Sequence, residues 1–157
     1  VGTGVGVGLV AHGRPVHGQL HPEAGHLRVP RAPGDDFSGI CPFHGDCVEG
    51  LASGPALAAQ LGKPAKDVAA DHPAWAEEAR VLAHLVQSIS LTCAPELVVM
   101  GGGVMEKPGL LDRIRAEFDR LEGGYRPGFV GADHIVPAAC AGDQALFGAL
   151  SLAGSVP

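Results

Sequence analysis

The sequence predicts an α/β fold. Three stretches carry that expectation. The run Glu96 to Met100 is apolar after its first residue, as in a buried parallel strand, and Gly101-Gly102-Gly103 closes its carboxyl end. A second strand–turn–helix unit follows near the end, from His134 to Ala138, through Ala141-Gly142-Asp143, into a helix over 143–153. At the front, apolar residues alternate with glycine over Val1 to Val10, a period of two that fits a strand.

Taken in order, the front strand meets a turn at His12-Gly13-Arg14-Pro15, so a hairpin with a second strand near Val16 to Gln19 is expected. Gly2-Thr3-Gly4 offers bare backbone N–H groups and a hydroxyl that can approach phosphate oxygens. The same residues also suit a tight, packed turn. A short strand is expected at His26 to Val29, then a long loop opened by Pro30, Pro33 and Gly34 and solvated by Asp35 and Asp36. A loop of that length in a compact domain is usually functional or stapled by metal.

Helical patterning begins at residue 47. A short helix over 47–53 is expected, then a second starting at Pro55, a residue suited to a first helical position. Another short helix is expected from Lys63-Pro64 to Ala70, ended by Asp71-His72-Pro73. The longest helix runs from Pro73 to about Cys93, with Ala79, Leu82, Ala83, Leu85, Val86 and Ile89 forming a broad apolar face. Pro95 stops it. Pro108 to Leu121 is amphipathic through Leu110, Leu111, Ile114, Phe118 and Leu121, and Gly123-Gly124 ends it. Asp143 is the expected N-cap of the last helix.

The 157 residues suffice for one domain with a real core. Aromatic residues make up only 4% of the chain, so that core must rest on Ala, Val and Leu. A net charge of −6 argues against non-specific binding to nucleic acid or anionic membrane. No apolar run approaches the length of a membrane span, and no signal-peptide pattern is present. A reducing, cytoplasmic setting is expected. Of the four cysteines, two lie close together around a histidine, and Cys93 and Cys140 stand alone among apolar residues. The chain opens on Val-Gly-Thr-Gly without Met, and is read as a piece of a longer protein.

The strongest chemical signal is His26-x14-Cys41-x2-His44-x2-Cys47. Four thiol and imidazole ligands within residues 21–49 can close a tetrahedral zinc site, and Pro42 and Gly45 favour the tight knuckle it needs. A disulfide between Cys41 and Cys47 is the competing use of the thiols. A closed four-ligand site leaves no open position, so the zinc is expected to be structural. Glu23 and Glu49 flank the loop, either as ligand-binding carboxylates or as surface charges supporting the metal ligands. Gly101 to Gly103 lies where open α/β sheets bind ligands, although a plain strand-to-helix turn would look the same. His12, His17, His21, His72, His84 and His134 are read as ordinary surface or core residues.

In order along the chain, VGTGVGVG, HPEAGH, CPFHGDCVEGLASGPA, LVVMGGGVM and AGDQALFGALSLA resemble the ROK sugar kinases, most closely the bacterial fructokinase branch. The resemblance implies an actin-like ATPase (ribonuclease H-like) fold, of which residues 1–157 would be the C-terminal lobe. It implies nucleotide contacts at Gly2, Thr3, Gly4, Gly101, Gly102 and Gly103, and sugar contacts at Glu23, His26 and Glu49. It implies structural Zn²⁺ on His26, Cys41, His44 and Cys47, with His26 serving both metal and sugar, and Mg²⁺ arriving with ATP. The partners implied are ATP, a hexose, a missing N-terminal lobe and a second copy in a homodimer.

The family's catalytic Asp and first phosphate loop precede this segment, so no catalytic residue is expected in the chain and the segment alone is expected to be inactive. The apolar last helix (Ala145, Leu146, Phe147, Leu150, Leu152) is expected to pack on that other lobe, and without it to lie exposed or against a neighbour. Another ROK hexokinase, such as a glucokinase, is the nearest alternative. A sugar-sensing ROK repressor and a nucleic-acid-binding zinc knuckle are more distant. The acidic residues Asp35, Asp36, Asp46 and Glu49 around the knuckle speak against the last.

Overall fold

The computed structural model describes residues 1–140 and 143–154. Its centre is a long helix, α3 (Ala74–Cys93), laid against α4 (Leu110–Glu122) and a short helix α1 (Val48–Ala52). Trp75, Ala79, Leu82 and Val86 recur at helical spacing on α3 and are buried against Leu110, Ile114 and Phe118 of α4. Burying side chains of this size is worth about 1.5–3 kcal/mol each, so this pair of helices carries much of the fold's stability. Trp75 also satisfies its indole N–H, which donates to the Ala69 carbonyl at 2.9 Å. The helix stops where Ala94 takes a left-handed conformation ahead of Pro95.

Beside the helices, β3 (Val98–Met100) pairs in parallel with β4 (Ile135–Pro137), Val99 opposite Val136. The connection between them is α4 and a one-turn helix α5 (Gly131–His134). A separate antiparallel pair, β1 (Val10–Ala11) and β2 (Arg14–Pro15), turns through His12 and Gly13, both with positive φ, as a tight two-residue hairpin requires. Between the extended segment Val5–Val10 and β3 lies a groove of about 380 Å³, floored by Leu85, Val86 and Ile89 of α3. Val99 is 59% exposed at its edge.

Several expectations need correction. The second hairpin strand falls on Arg14–Pro15 rather than Val16–Gln19, because the turn takes only two residues. Val1 to Leu9 is not paired into a sheet among the described residues; a hydrogen bond from the Val16 N–H to the Leu9 carbonyl adds one rung beyond β1. His26 to Val29 is not a strand. A 3-10 turn spans Ala24–His26, and the Leu27 carbonyl is taken by the Val48 N–H. Residues 63–70 form only a 3-10 turn at Ala65–Asp67. The second short helix, α2 (Gly54–Leu61), begins one residue before Pro55, capped by Ser53, whose hydroxyl accepts from the Ala56 N–H at 3.3 Å. β3 is parallel as expected but only partly buried.

The last helix, α6 (Gln144–Gly154), exposes Leu146, Phe147 and Leu150. The preceding Ala141-Gly142 turn and the side chain of Leu152 lie outside the described residues.

Candidate functional site

The loop between the front segment and α1 folds into a knuckle. Cys41 and Gly45 exchange two backbone hydrogen bonds, of 3.2 and 2.9 Å, so Pro42, Phe43 and His44 form the tip. Gly50 on α1 lies under this turn so closely that a Cβ there would collide with the Gly45 carbonyl. That packing places Cys47, at the N-cap of α1, beside Cys41. His26 arrives from the opposite side. Its 3-10 turn is pressed against the front segment at Gly25, where a Cβ would run into the Val5 carbonyl.

The result is a convergence of four side chains. One ligand atom from each of His26, Cys41, His44 and Cys47 lies within 4.8 Å of all the others. The two Nδ1 atoms are 3.3 Å apart. Cys47 Sγ is 3.5 Å and Cys41 Sγ 3.7 Å from His26 Nδ1, and Cys41 Sγ is 3.8 Å from His44 Nδ1. A tetrahedral zinc with nitrogen at about 2.0 Å and sulfur at about 2.3 Å has edges of about 3.3–3.8 Å, so the donor set fits that ion in kind and in size. The cysteines are both free.

Their acidities differ. The Phe43 backbone N–H, aided by the His44 N–H, the Cys47 thiol and the His44 ring, pulls the Cys41 thiol down to about 6 against the opposing effect of burial. Burial pushes the Cys47 thiol up. The first thiolate therefore forms at Cys41, and thiolate is the form that binds metal.

His26 divides its ring between two environments. Nδ1 faces the cysteines, while Nε2 lies 4.0 Å from Glu23 Oε2 and 3.9 Å from Glu49 Oε1. Neither distance is a hydrogen bond, so the three groups face one another across a gap. The other oxygen of each carboxylate is held: Glu49 Oε2 accepts the Val5 N–H at 3.1 Å, and Glu23 Oε1 lies 2.7 Å from His21 Nε2. Sequence reasoning set His21 aside as an ordinary histidine. The His-Pro-Glu spacing was the available signal, since a rigid proline between two residues favours an extended chain with both side chains on one face.

The two glycine-rich turns also meet. The Gly2 carbonyl accepts the Gly54 N–H at 2.7 Å, and the Val1 carbonyl accepts the Val104 N–H at 3.2 Å. Of the six turn residues named from the sequence, Gly2, Thr3 and Gly103 line an open groove of about 440 Å³, and Gly4, Gly101 and Gly102 do not. Gly4 instead packs on Glu49, and Gly101 borders the apolar groove. Pro55, Ala58 and Lys66 are among the other lining residues and were missed. Packing of α2 beside the front turn brings Pro55 and Ala58 there, and the 3-10 turn Ala65–Asp67 brings Lys66; the helix-opening Ser-Gly-Pro was a local hint only for the first two.

The ROK family model matches residues 1–156. The chain is 38% identical over 153 residues to a fructokinase of Pediococcus pentosaceus, covering 98% of this chain and 53% of that protein. It is 42% identical over 162 residues to a fructokinase of Zymomonas mobilis, covering 98% and 52%. Its fold superposes on the crystal structure of a ROK family glucokinase from Streptomyces griseus in complex with glucose and AMPPNP. There the TM-score is 0.70 at 26% identity, with 97% of this chain and 58% of that one covered. The chain thus spans about half the length of the curated relatives it matches. A family match over nearly every residue, with the actin-like ATPase fold of its structural neighbours behind it, shows that the chain belongs to the ROK family.

Proposed function

We propose that the chain is the C-terminal lobe of a cytoplasmic, homodimeric, ATP-dependent fructokinase, which transfers the γ-phosphate of ATP to a hexose hydroxyl and forms fructose 6-phosphate from D-fructose. The observation that carries this reading is the divided ring of His26. One nitrogen belongs to the four-ligand cluster, and the other faces two carboxylates across a gap wide enough for a hydroxyl. The preference for fructose rests on the relatives named fructokinase.

In this reading His26, Cys41, His44 and Cys47 hold Zn²⁺, which supplies a fixed anchor and no reactive water. With Nδ1 turned toward the cysteines, His26 would give that nitrogen to the metal and present Nε2 as a donor to a sugar oxygen. Glu23 and Glu49 accept from sugar hydroxyls. Of the six turn residues, Gly2, Thr3 and Gly103 line the open groove and serve the nucleotide, while Gly4, Gly101 and Gly102 shape the turns behind it, and Mg²⁺ enters with ATP. An aspartate of the other lobe takes the proton from the attacking hydroxyl, the oxygen bonds to the γ-phosphorus, and ADP leaves.

ATP-dependent sugar phosphorylation, measured on the full-length protein and on the 157-residue chain, tests this. The full-length protein is expected to prefer D-fructose over D-glucose, and the chain alone to show no turnover. Turnover by the chain alone would contradict the lobe assignment, and a full-length protein inert toward every hexose would overturn the kinase.

A further inference from the structure

The two carboxylates facing His26 are held in the same way but by different donors. Each gives one oxygen to an anchor and turns the other toward His26 Nε2, from 4.0 Å in Glu23 and 3.9 Å in Glu49. Glu49 is anchored by the backbone, through the Val5 N–H. Glu23 is anchored by a side chain, the imidazole of His21, with Nε2 and Oε1 2.7 Å apart. At that distance the ring donates its Nε2–H to the carboxylate.

Without an anchor, a glutamate on an open surface samples several rotamers, and Glu23 is 52% exposed. Glu23 also heads the 3-10 turn without using its side chain as a cap, so nothing on its own element holds the carboxylate. Pro22 restricts the chain between the pair and favours the extended conformation that puts both side chains on one face. His21 contacts neither the cysteines nor His26 among the described hydrogen bonds and ion pairs.

We propose that His21 is a positioning residue for hexose recognition: its Nε2–H fixes Glu23 so that the free carboxylate oxygen faces the sugar site opposite Glu49. The inference rests on the sugar-kinase reading above and adds to it a residue outside the metal cluster. A loosened Glu23 lowers affinity for the sugar and leaves the chemical step, the nucleotide site and the metal cluster unchanged.

The test uses His21→Ala and His21→Gln in the full-length protein. Gln can place an amide N–H near the position of the imidazole Nε2–H, so it restores the hydrogen bond without the ring. His21→Ala is expected to raise the KM for the hexose on the order of threefold to tenfold, because the hydrogen bond from the sugar to a loosened Glu23 is weakened rather than lost. The kcat, the KM for ATP, zinc content and melting temperature stay near wild type, and His21→Gln recovers most of the loss. A hexose KM unchanged in His21→Ala, or a His21→Gln variant as impaired as His21→Ala, would overturn the proposal.

A sugar-independent arm separates this from failure of the kinase reading. The side-chain carboxyl ¹³C resonance of Glu23 is expected to shift in His21→Ala and return in His21→Gln, with that of Glu49 unmoved. An unmoved Glu23 resonance overturns the anchoring role whatever the protein phosphorylates. Moved resonances in a protein inert toward hexoses would overturn the assigned function and leave the anchor standing.

Discussion

At Glu78 a carboxyl group lies on the buried face of α3, 3% exposed, with Oε1 lacking any hydrogen-bond partner. Burial drives its pKa well above the usual carboxylate value, and the neighbouring Glu77 carboxylate adds to the rise. The folded state therefore holds this proton more tightly than the unfolded state. Stability from this group is fully present below about pH 4.5 and is lost as pH rises toward the elevated folded value. Glu78→Gln removes that charge. It is expected to stabilise the protein by about 1 kcal/mol at neutral pH and to flatten the fall in stability between pH 5 and 8, as read by urea denaturation across that range. An unchanged pH dependence would mean that Glu78 finds a partner in solution.

The convergence of His26, Cys41, His44 and Cys47 was legible from the sequence because the four are close in the chain and chemically distinctive. The Glu78 burial and the His21–Glu23 pair were not. Nothing in a helix pattern shows that one glutamate faces inward, and an exposed histidine gains a role only when the turn beyond Pro22 brings a carboxylate onto it.

Between α3, α4 and β4 the packing closes over His134. Its ring lies 3.9 Å from that of Phe129 and 5.6 Å from that of Phe118, centroid to centroid. The Glu96 carbonyl accepts from Nδ1 at 3.3 Å, so the neutral ring carries its proton there, and Nε2 accepts the Ser90 hydroxyl at 3.0 Å. Burial lowers the pKa, with the Glu96 carbonyl opposing it, Arg126 lowering it further and Glu122 raising it. The unfolded chain binds this proton near pH 6.5 and the folded chain only below that. The stability it contributes is thus present above pH 6.5 and lost as pH falls through the lower folded value. The thermal midpoint is expected to drop on acidification from pH 7 to pH 5 by a few degrees, and less so in His134→Gln. Equal drops in the two proteins would place the acid sensitivity elsewhere.

At this scale the long helices and the parallel strands β3 and β4 were readable, and the short turns and the front strands were not. α3 and α4 announce themselves through apolar periodicity, with proline before and proline or glycine after. α5 is a single turn with no period to read. The alternation over His26 to Val29 predicted a strand, but the Leu27 carbonyl is claimed by the start of α1 and the preceding residues curl under Val5. Tertiary contact overrides a four-residue pattern.

At the scale of the whole chain, two apolar surfaces stand open among the described residues. One is the groove between Val5–Val10 and β3, and the other is the face of α6 with Leu146, Phe147 and Leu150. In the proposed kinase both are expected to be covered by the rest of the protein. The 157-residue chain is therefore expected to bind the dye ANS several-fold more strongly than the full-length protein at equal concentration; equal binding would mean that these surfaces remain open in the parent. The order of motifs made the overall architecture legible. The open groove was not, because the sequence cannot say which strands find partners.

The whole account turns on the cluster that holds His26 between three other donor side chains and two carboxylates. Metal analysis of the chain purified without chelator tests it most directly. The account predicts about one equivalent of zinc per chain. Less than about half an equivalent would contradict it.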